Sequence, residues 1–404
     1  MHVETNSQKC CGCTACMAIC PTQAIKMQSD SEGFLCPQVS HDICVECGMC
    51  VKVCPTAAKP TMHTKQIEVP MQAYAVKWQD VARVSSASGA FFPAVAKYVL
   101  ETKNGWVCGC VLREDTLMPE HIVSNTWADV QRMQDSKYVQ SDMKSCYKKI
   151  EELLKTGQTI LFTGTSCQVS GLYSFLDCKK ISTERLLTID FFCHGVPSPK
   201  IWRDYLRFYE EKKHRKPIAY RFRSKRYGWG SSSRGSSYLN SITYKNTIQV
   251  AHQDNVSWAS RMWCTVFFSN LCIRNYCHSC PYATINKPAD FTMGDFWGIE
   301  KFHPEFDDGK GCSVVIARTK KAQSTMSEVE WLTSEKVTLD EAIQKQANAF
   351  APSTANQHRA DFWDDYGKYG FEYCAKKYFL YTTKDRVKAI IKRVLFALKI
   401  RDIY

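Results

Sequence analysis

Cys10, Cys13, Cys16 and Cys20, followed at once by Pro21, recur thirty-four residues later as Cys44, Cys47, Cys50 and Cys54, followed by Pro55. This doubled CxxCxxCxxxCP run is the spacing of bacterial two-cluster iron–sulfur modules. Three thiolates so spaced wrap one corner of a cubane, and the fourth, displaced along a helical turn, reaches the other cluster. The predicted ligand sets are therefore Cys10, Cys13, Cys16 and Cys54 for one 4Fe-4S cluster, and Cys44, Cys47, Cys50 and Cys20 for the second. Gly12 and Gly48 allow backbone amides to approach the cluster sulfides, where hydrogen bonds tune the potential. Tetrahedral zinc is the other chemistry of closely spaced cysteine pairs. Two complete copies, each closed by proline, favour clusters. Cys11 and Cys36 fall outside the pattern and read as packing or incidental residues.

The 404-residue chain holds 22 cysteines, and the residues from Met1 to Lys9 are polar, without the apolar core of a signal peptide. Such a load in a reducing compartment points to metal coordination and not to disulfides, and a cytoplasmic location is expected. The most apolar run, 91–100, is interrupted by Lys97, so an integral membrane protein is not expected. A hydrophobic fraction of 45% suffices for a sizeable core. The formal charge of +13 counts cysteines as neutral; four thiolates on each 2+ core leave −2 per cluster and bring the total to about +9. That surplus suits an acidic electron donor or an anionic substrate. The basic residues are spread without a nucleic-acid module, so nucleic acid is not an expected partner.

Three regions are expected: an α+β ferredoxin-like head over 1–65, an α/β body over 72–320, and a helical C-terminal region over 321–404, with a proline-containing linker across 59–70. Within the body, a helix over 145–155 precedes a strand at 159–162, a helix at 167–176, a buried strand at 186–192 and a helix opened by Pro199. Alternation of this kind implies parallel strand pairing.

Five segments of the body carry more specific information: Ser86-Ala87-Ser88-Gly89, Ser136-Lys137-Tyr138-Val139-Gln140-Ser141, Phe162-Thr163-Gly164-Thr165-Ser166-Cys167-Gln168, Cys193-His194-Gly195-Val196-Pro197-Ser198 and Gly294-Asp295-Phe296-Trp297-Gly298. In this order they resemble the beta-subunit family of coenzyme F420 hydrogenases and dehydrogenases, over most of residues 1–320. The resemblance implies a flavoprotein body that binds FAD. Ser86, Ser88 and Gly89 would then form a phosphate cradle ahead of a helix, Lys137 and Tyr138 would flank the flavin ring, and Thr163, Gly164 and Thr165 would complete its site. The sequence departs from the family's Ser-Ser-Ser-Gly-Gly run at Ala87 and Ala90. The alternative for these residues is a capped helix and a solvated lysine.

Cys167 and Cys193 each follow a predicted strand, at the carboxyl edge where α/β folds place their sites. With Cys277 and Cys280 they make four thiols for a third 4Fe-4S cluster, an assignment that the resemblance favours. Buried structural thiols and a plant-like set of Cys272, Cys277, Cys280 and Cys312 are the alternatives. The stretch 221–235, with Arg221, Arg223, Lys225, Arg226 and Arg234, is a solvated loop or a clamp for an anionic acceptor. His194, Asp190 and Asp295 are candidate proton donors, and 385–401 forms an amphipathic helix that packs on its own domain or meets a membrane surface. The functional expectation is an iron–sulfur flavoprotein oxidoreductase that takes electrons from a ferredoxin-type donor or partner subunit and delivers them to an organic, anionic acceptor. The alternative is a non-enzymatic electron-transfer adaptor of a larger complex.

Overall fold

The computed structural model describes residues 3, 8–56, 69–78, 81–225, 229, 240–245, 249–255 and 257–379. Two short apolar runs, Ile160–Thr163 and Leu186–Phe191, lie side by side and parallel in the middle of an eight-stranded sheet. In chain order the strands are β1 (Ile25–Ser29), β2 (Leu35–Val39), β3 (Gln72–Trp78), β4 (Trp106–Leu112), β5 (Pro119–Ser124), β6 (Ile160–Thr163), β7 (Leu186–Phe191), β8 (Pro217–Arg221), β9 (Ser241–Lys245), β10 (Ala251–Asp254), β11 (Phe291–Asp295), β12 (Ser313–Ala317) and β13 (Leu332–Val337). The large sheet has the order β13-β3-β12-β11-β7-β6-β4-β5. Its centre, β11-β7-β6-β4, is parallel, and every pairing outside that centre is antiparallel. Helices cover both faces of the parallel strands, which is why β6 and β7 are buried along nearly their whole length, Thr188 and Asp190 of β7 included.

Helix boundaries follow local chemistry. Thr165 caps the helix Ser166–Cys178 through a capping box with Gln168, and Ser198 caps Pro199–Lys213, whose first residue is the proline expected there. Cys146–Lys155 buries Ile150, Leu153 and Leu154 on one face, as its spacing predicts.

β1 and β2 form a hairpin with Ile25 opposite Val39, flanked by the short helices Ala15–Ile19 and Met49–Lys52. The head does not stand apart: Cys13, Cys16 and Ile19 share one hydrophobic core with Ile150, Leu172 and Phe175 of the body. Gly171 is left bare by this contact, since a Cβ there would sit 2.9 Å from the Cys13 sulfur. Arg359 grips Glu32 with both guanidinium nitrogens, and Gln140 accepts from the Leu35 amide at 3.0 Å.

The C-terminal region departs from the expected all-helical stretch. β13 pairs along the whole of β3 and makes one edge of the large sheet, so 321–343 belongs to the sheet's own architecture. Its exposed face is polar, and it therefore lacks the apolar run of a buried strand. The helix Arg359–Cys374, kinked at Gly370, then packs Phe362 and Phe371 against Tyr205 and Trp263. The linker 59–68 and the amphipathic stretch 385–401 lie outside the described residues. Among the described residues no helix is long and apolar enough to cross a membrane.

Candidate functional site

At the carboxyl ends of β6, β7 and β11 the sheet opens into a cavity of about 430 Å3, where an open parallel sheet presents its loops. Residues 163–168, 191–196 and 293–295 line it from those strand ends, 133–141 and Ser86 to Ser88 from the opposite side, and 276–283 from above. Of the residues expected to hold a cofactor, Ser86, Ser88, Lys137, Tyr138, Thr163, Gly164 and Thr165 reach its wall. Gly89 does not. Its amide donates to the Ser313 hydroxyl at 2.9 Å, and a Cβ there would stand 2.2 Å from the Val76 carbonyl, so its smallness lets its turn lie against β3 and β12.

Several expected roles change once contacts are seen. Ser86 and Ser88 donate their hydroxyls to the carbonyls of Ala82 (2.9 Å) and Cys312 (2.6 Å), so what they offer a ligand is backbone more than hydroxyl. Lys137 is not solvated. Its ammonium donates to the carbonyls of Arg132 (3.0 Å) and Met133 (2.8 Å), closing the C-terminal end of the helix Trp127–Met133, and burial lowers its pKa. The charge expected beside a flavin is thus committed to a helix end. The described part of the 221–235 stretch is not a solvated loop either. Arg223, 3% exposed, pairs with Asp295 at 2.7 Å and donates to the Tyr138 hydroxyl at 3.1 Å, while Lys225 donates to the Arg83 carbonyl at 2.7 Å. Burial, then Arg83, lowers the Lys225 pKa to about 7. Arg226 and Arg234 lie outside the described residues.

Of the candidate proton donors, His194 and Asp295 line the cavity and Asp190 does not. Asp190 is fully buried behind the wall, where it accepts from Thr292, and desolvation raises its pKa. His194 is held by Asn270 (2.8 Å) on one ring nitrogen and Ser353 (3.1 Å) on the other, and burial lowers its pKa. Sequence reasoning missed His121. It stacks on Phe162, reaches the Thr163 carbonyl at 3.1 Å, and is held down to about 4 by burial. A lone histidine in an edge strand gives no signal of this in the sequence.

The body cysteines share one cavity wall. Cys167, Cys193, Cys277 and Cys280 all line the cavity. Burial, and then neighbouring thiols of the set, Cys167 in every case, pushes Cys193 up, Cys277 to about 12 and Cys280 to about 11. Unligated, these thiols stay protonated; a cationic core must displace the protons to bind. Cys272 and Cys312 lie elsewhere, in separate cores, with their sulfurs toward the carbonyls of Val266 (3.8 Å) and Val76 (3.6 Å). The plant-like set is therefore not brought together. Cys11, read as packing, instead lines the same cavity and hydrogen-bonds Cys167.

In the head, Cys20, Cys44, Cys47 and Cys50 line one small pocket near the surface, with Cys47 exposed. Cys16 is pushed up by burial and then by Cys10 and Cys54, its expected co-ligands. Cys50 of the other expected set also acts on Cys16, more weakly. Among the described residues no three His, Cys, Asp or Glu side chains gather as a single metal ion requires; a cubane spreads its four thiolates over four irons. The polar atoms of the main cavity also suit a ligand: His121 Nδ1, Gln134 Oε1 and Gln140 Nε2 are buried on its wall without a hydrogen-bond partner among the described residues.

Comparison with known proteins matches residues 157–343 to the family model for the C terminus of the "Coenzyme F420 hydrogenase/dehydrogenase, beta subunit", and residues 9–58 to the model "4Fe-4S dicluster domain". Among solved structures, a chain of the F420-reducing NiFe hydrogenase complex from Methanosarcina barkeri, studied by xenon derivatization, aligns at 14% identity over 69% of this chain and 88% of its own, with a TM-score of 0.45. No curated protein matches.

Proposed function

We propose, from the match of residues 157–343 to the coenzyme F420 hydrogenase/dehydrogenase beta-subunit model and of residues 9–58 to the 4Fe-4S dicluster model, that the chain is an iron–sulfur flavoprotein that passes electrons from an external one-electron donor to a two-electron organic acceptor. The observation that carries this reading is one cavity whose wall holds Cys167, Cys193, Cys277 and Cys280 together with seven of the eight residues expected at a flavin. Its volume falls in the range of ligand pockets, roughly 300 to 1,000 Å3, and its buried unpartnered polar atoms call for a hydrogen-bonding ligand.

FAD, when bound there, would supply the conversion between single electrons and hydride. The chain's own residues do the rest. The four cavity cysteines would hold a third 4Fe-4S cluster, with Cys11 bringing the head against them. Backbone of the Ser86 to Ser88 turn and of Thr163 to Thr165 faces the cavity as hydrogen-bonding surface, while Tyr138, stacked on Phe267 at 4.4 Å, and Phe192 exclude water from it. Arg223, paired with Asp295 at 2.7 Å, puts a guanidinium on the far wall whose charge the carboxylate offsets, so it offers an acceptor hydrogen-bond donors more than net charge. His194 faces the cavity with Asn270 and Ser353 on its two ring nitrogens, which fixes the ring as part of the wall and leaves neither nitrogen free for an acceptor. The exposure of Cys47 makes the outward head cluster the one a ferredoxin-type donor or partner subunit meets.

The test is cofactor content. Protein purified anaerobically should contain about twelve irons, four per cluster, and one noncovalent FAD that bleaches when a low-potential donor is added. Iron-replete protein without flavin would refute the enzyme reading and leave an electron-conducting adaptor in its place.

A further inference from the structure

Arg274 is the largest fully buried cation of the described core, 1% exposed, and its environment is unusual for a charge. The backbone belongs to the body: its amide donates to the Val196 carbonyl at 3.0 Å, and its carbonyl accepts from the amide of Cys277 at 2.9 Å. The side chain belongs to the head. One terminal nitrogen donates to the Cys10 carbonyl (2.6 Å) and lies 3.6 Å from the Cys36 sulfur, the other donates to the Leu35 carbonyl (2.6 Å), and the Phe34 ring lies 4.9 Å from the guanidinium. Gly12 accommodates it, since a Cβ there would stand 3.0 Å from the guanidinium and 2.3 Å from the Gln140 amide nitrogen.

Among the described residues no carboxylate forms an ion pair with Arg274. A buried guanidinium balanced only by carbonyls and a thiol is costly, because burial removes its hydration and partial charges do not restore it. Cys10 and Cys36 of the head stand first among the thiols that act on this charge and Cys277 of the cavity after them, while the side-chain hydrogen bonds all run to the head, so the inward head cluster is the first source of the missing counter-charge. Four thiolates on a 2+ core leave −2, and Cys10 is a ligand of the inward head cluster. The outward cluster's pocket has no cation among its described lining residues and includes Glu46.

We propose that Arg274 is a positioning charge that selectively raises the reduction potential of the inward head cluster, the one held by Cys10, Cys13, Cys16 and Cys54. One-electron reduction takes a 4Fe-4S core from 2+ to 1+, with no bond made or broken and no proton required. Burial opposes the added negative charge, and a fixed cation in the same low-dielectric surroundings offsets that penalty. Without it, the cluster buried against the body would be the harder of the two to reduce, and electrons arriving at the surface would stay there.

The test is a reductive titration of the full-length, iron-replete protein with dithionite, followed by electron paramagnetic resonance, the inward cluster being identified as the one perturbed in Cys16→Ser. Arg274→Gln should shift the midpoint of that cluster downward and leave the outward one in place. Arg274→Lys, which keeps the charge but not the forked hydrogen bonds, should recover most of the shift. Arg359→Gln loosens the same head–body seam through Glu32 and should move neither midpoint. An iron-replete Arg274→Gln protein with both midpoints unchanged overturns the proposal, as does an equal shift in Arg359→Gln. Should Arg274→Gln fail to retain its irons, Arg274→Lys decides: an inward midpoint near wild type sustains the proposal, and a fall despite the retained charge overturns it.

Discussion

The Arg223–Asp295 pair is the point where the cavity wall is most exposed to a single substitution. The two side chains meet at 2.7 Å with exposures of 3% and 12%, so solvent screens little of the interaction. At an effective dielectric of about 20 the gross attraction at that separation is about 6 kcal/mol, most of it offset by the desolvation of both ions. Replacing Asp295 with Asn removes the carboxylate charge, leaves a neutral acceptor in place and leaves the buried guanidinium beside the Tyr138 hydroxyl and the Trp297 ring. Deleting one partner of a buried pair costs roughly 3 to 5 kcal/mol, and with the asparagine carbonyl still accepting, about 3 kcal/mol is expected at pH 7. Urea unfolding of the anaerobic protein, followed by tryptophan fluorescence, measures this directly. The double variant Arg223→Met with Asp295→Asn should recover about 2 kcal/mol relative to the sum of the single losses, since both charges of the pair are then removed together. A loss below about 1 kcal/mol for Asp295→Asn, in the range of an exposed ion pair, or strict additivity of the two changes, would show that the pair does not act as a buried unit.

Three further outcomes follow from other parts of the molecule. His121 is held to about 4 in the fold against about 6.5 in the unfolded chain, so between those values the unfolded chain binds a proton that the folded one refuses; stability therefore rises with pH across that window, and acidification from 7 to below 4 should cost about 3 kcal/mol more in the wild type than in His121→Gln, read from urea midpoints at stepped pH. Cys193→Ala should lower the iron content of the full chain by about four, as one cubane requires, whereas Cys272→Ala should leave iron unchanged and lose only packing; equal iron in both would remove Cys193 from any cluster. Gly171→Val should drive a branched side chain into Cys13 and lower head-cluster occupancy in an iron and sulfide assay, while Gly367→Val, with nothing within 4 Å, should not; full occupancy in Gly171→Val would mean that the head need not seat against that helix.

The head was legible from its spacing, because cluster ligation is a local demand. A cysteine every third residue, a fourth beyond, and a proline to stop the turn leave few other chemistries, and the repeat itself implies crossed ligand sets. The parallel strands β6 and β7 and the helices around them were legible for a similar reason: buried strands and capped amphipathic helices write their period into adjacent residues. β13 was not, since an edge strand whose four central residues are all exposed carries no apolar pattern.

What tertiary structure alone decided is which side chains meet across long separations. No local rule ties Cys11 to Cys167, or Arg274 to the Cys10 carbonyl 264 residues away. No local rule separates Lys137, spent on the end of its own helix, from Arg223, which carries charge to the cavity wall beside Asp295. Residue type and spacing by themselves determined the chemistry of the head and the class of the sheet, since both are satisfied within a few turns of chain. The choice of Cys277 and Cys280 over Cys272 and Cys312 for the cavity depended on where strand ends and loops converge, which packing of the whole sheet sets and no segment of sequence encodes alone.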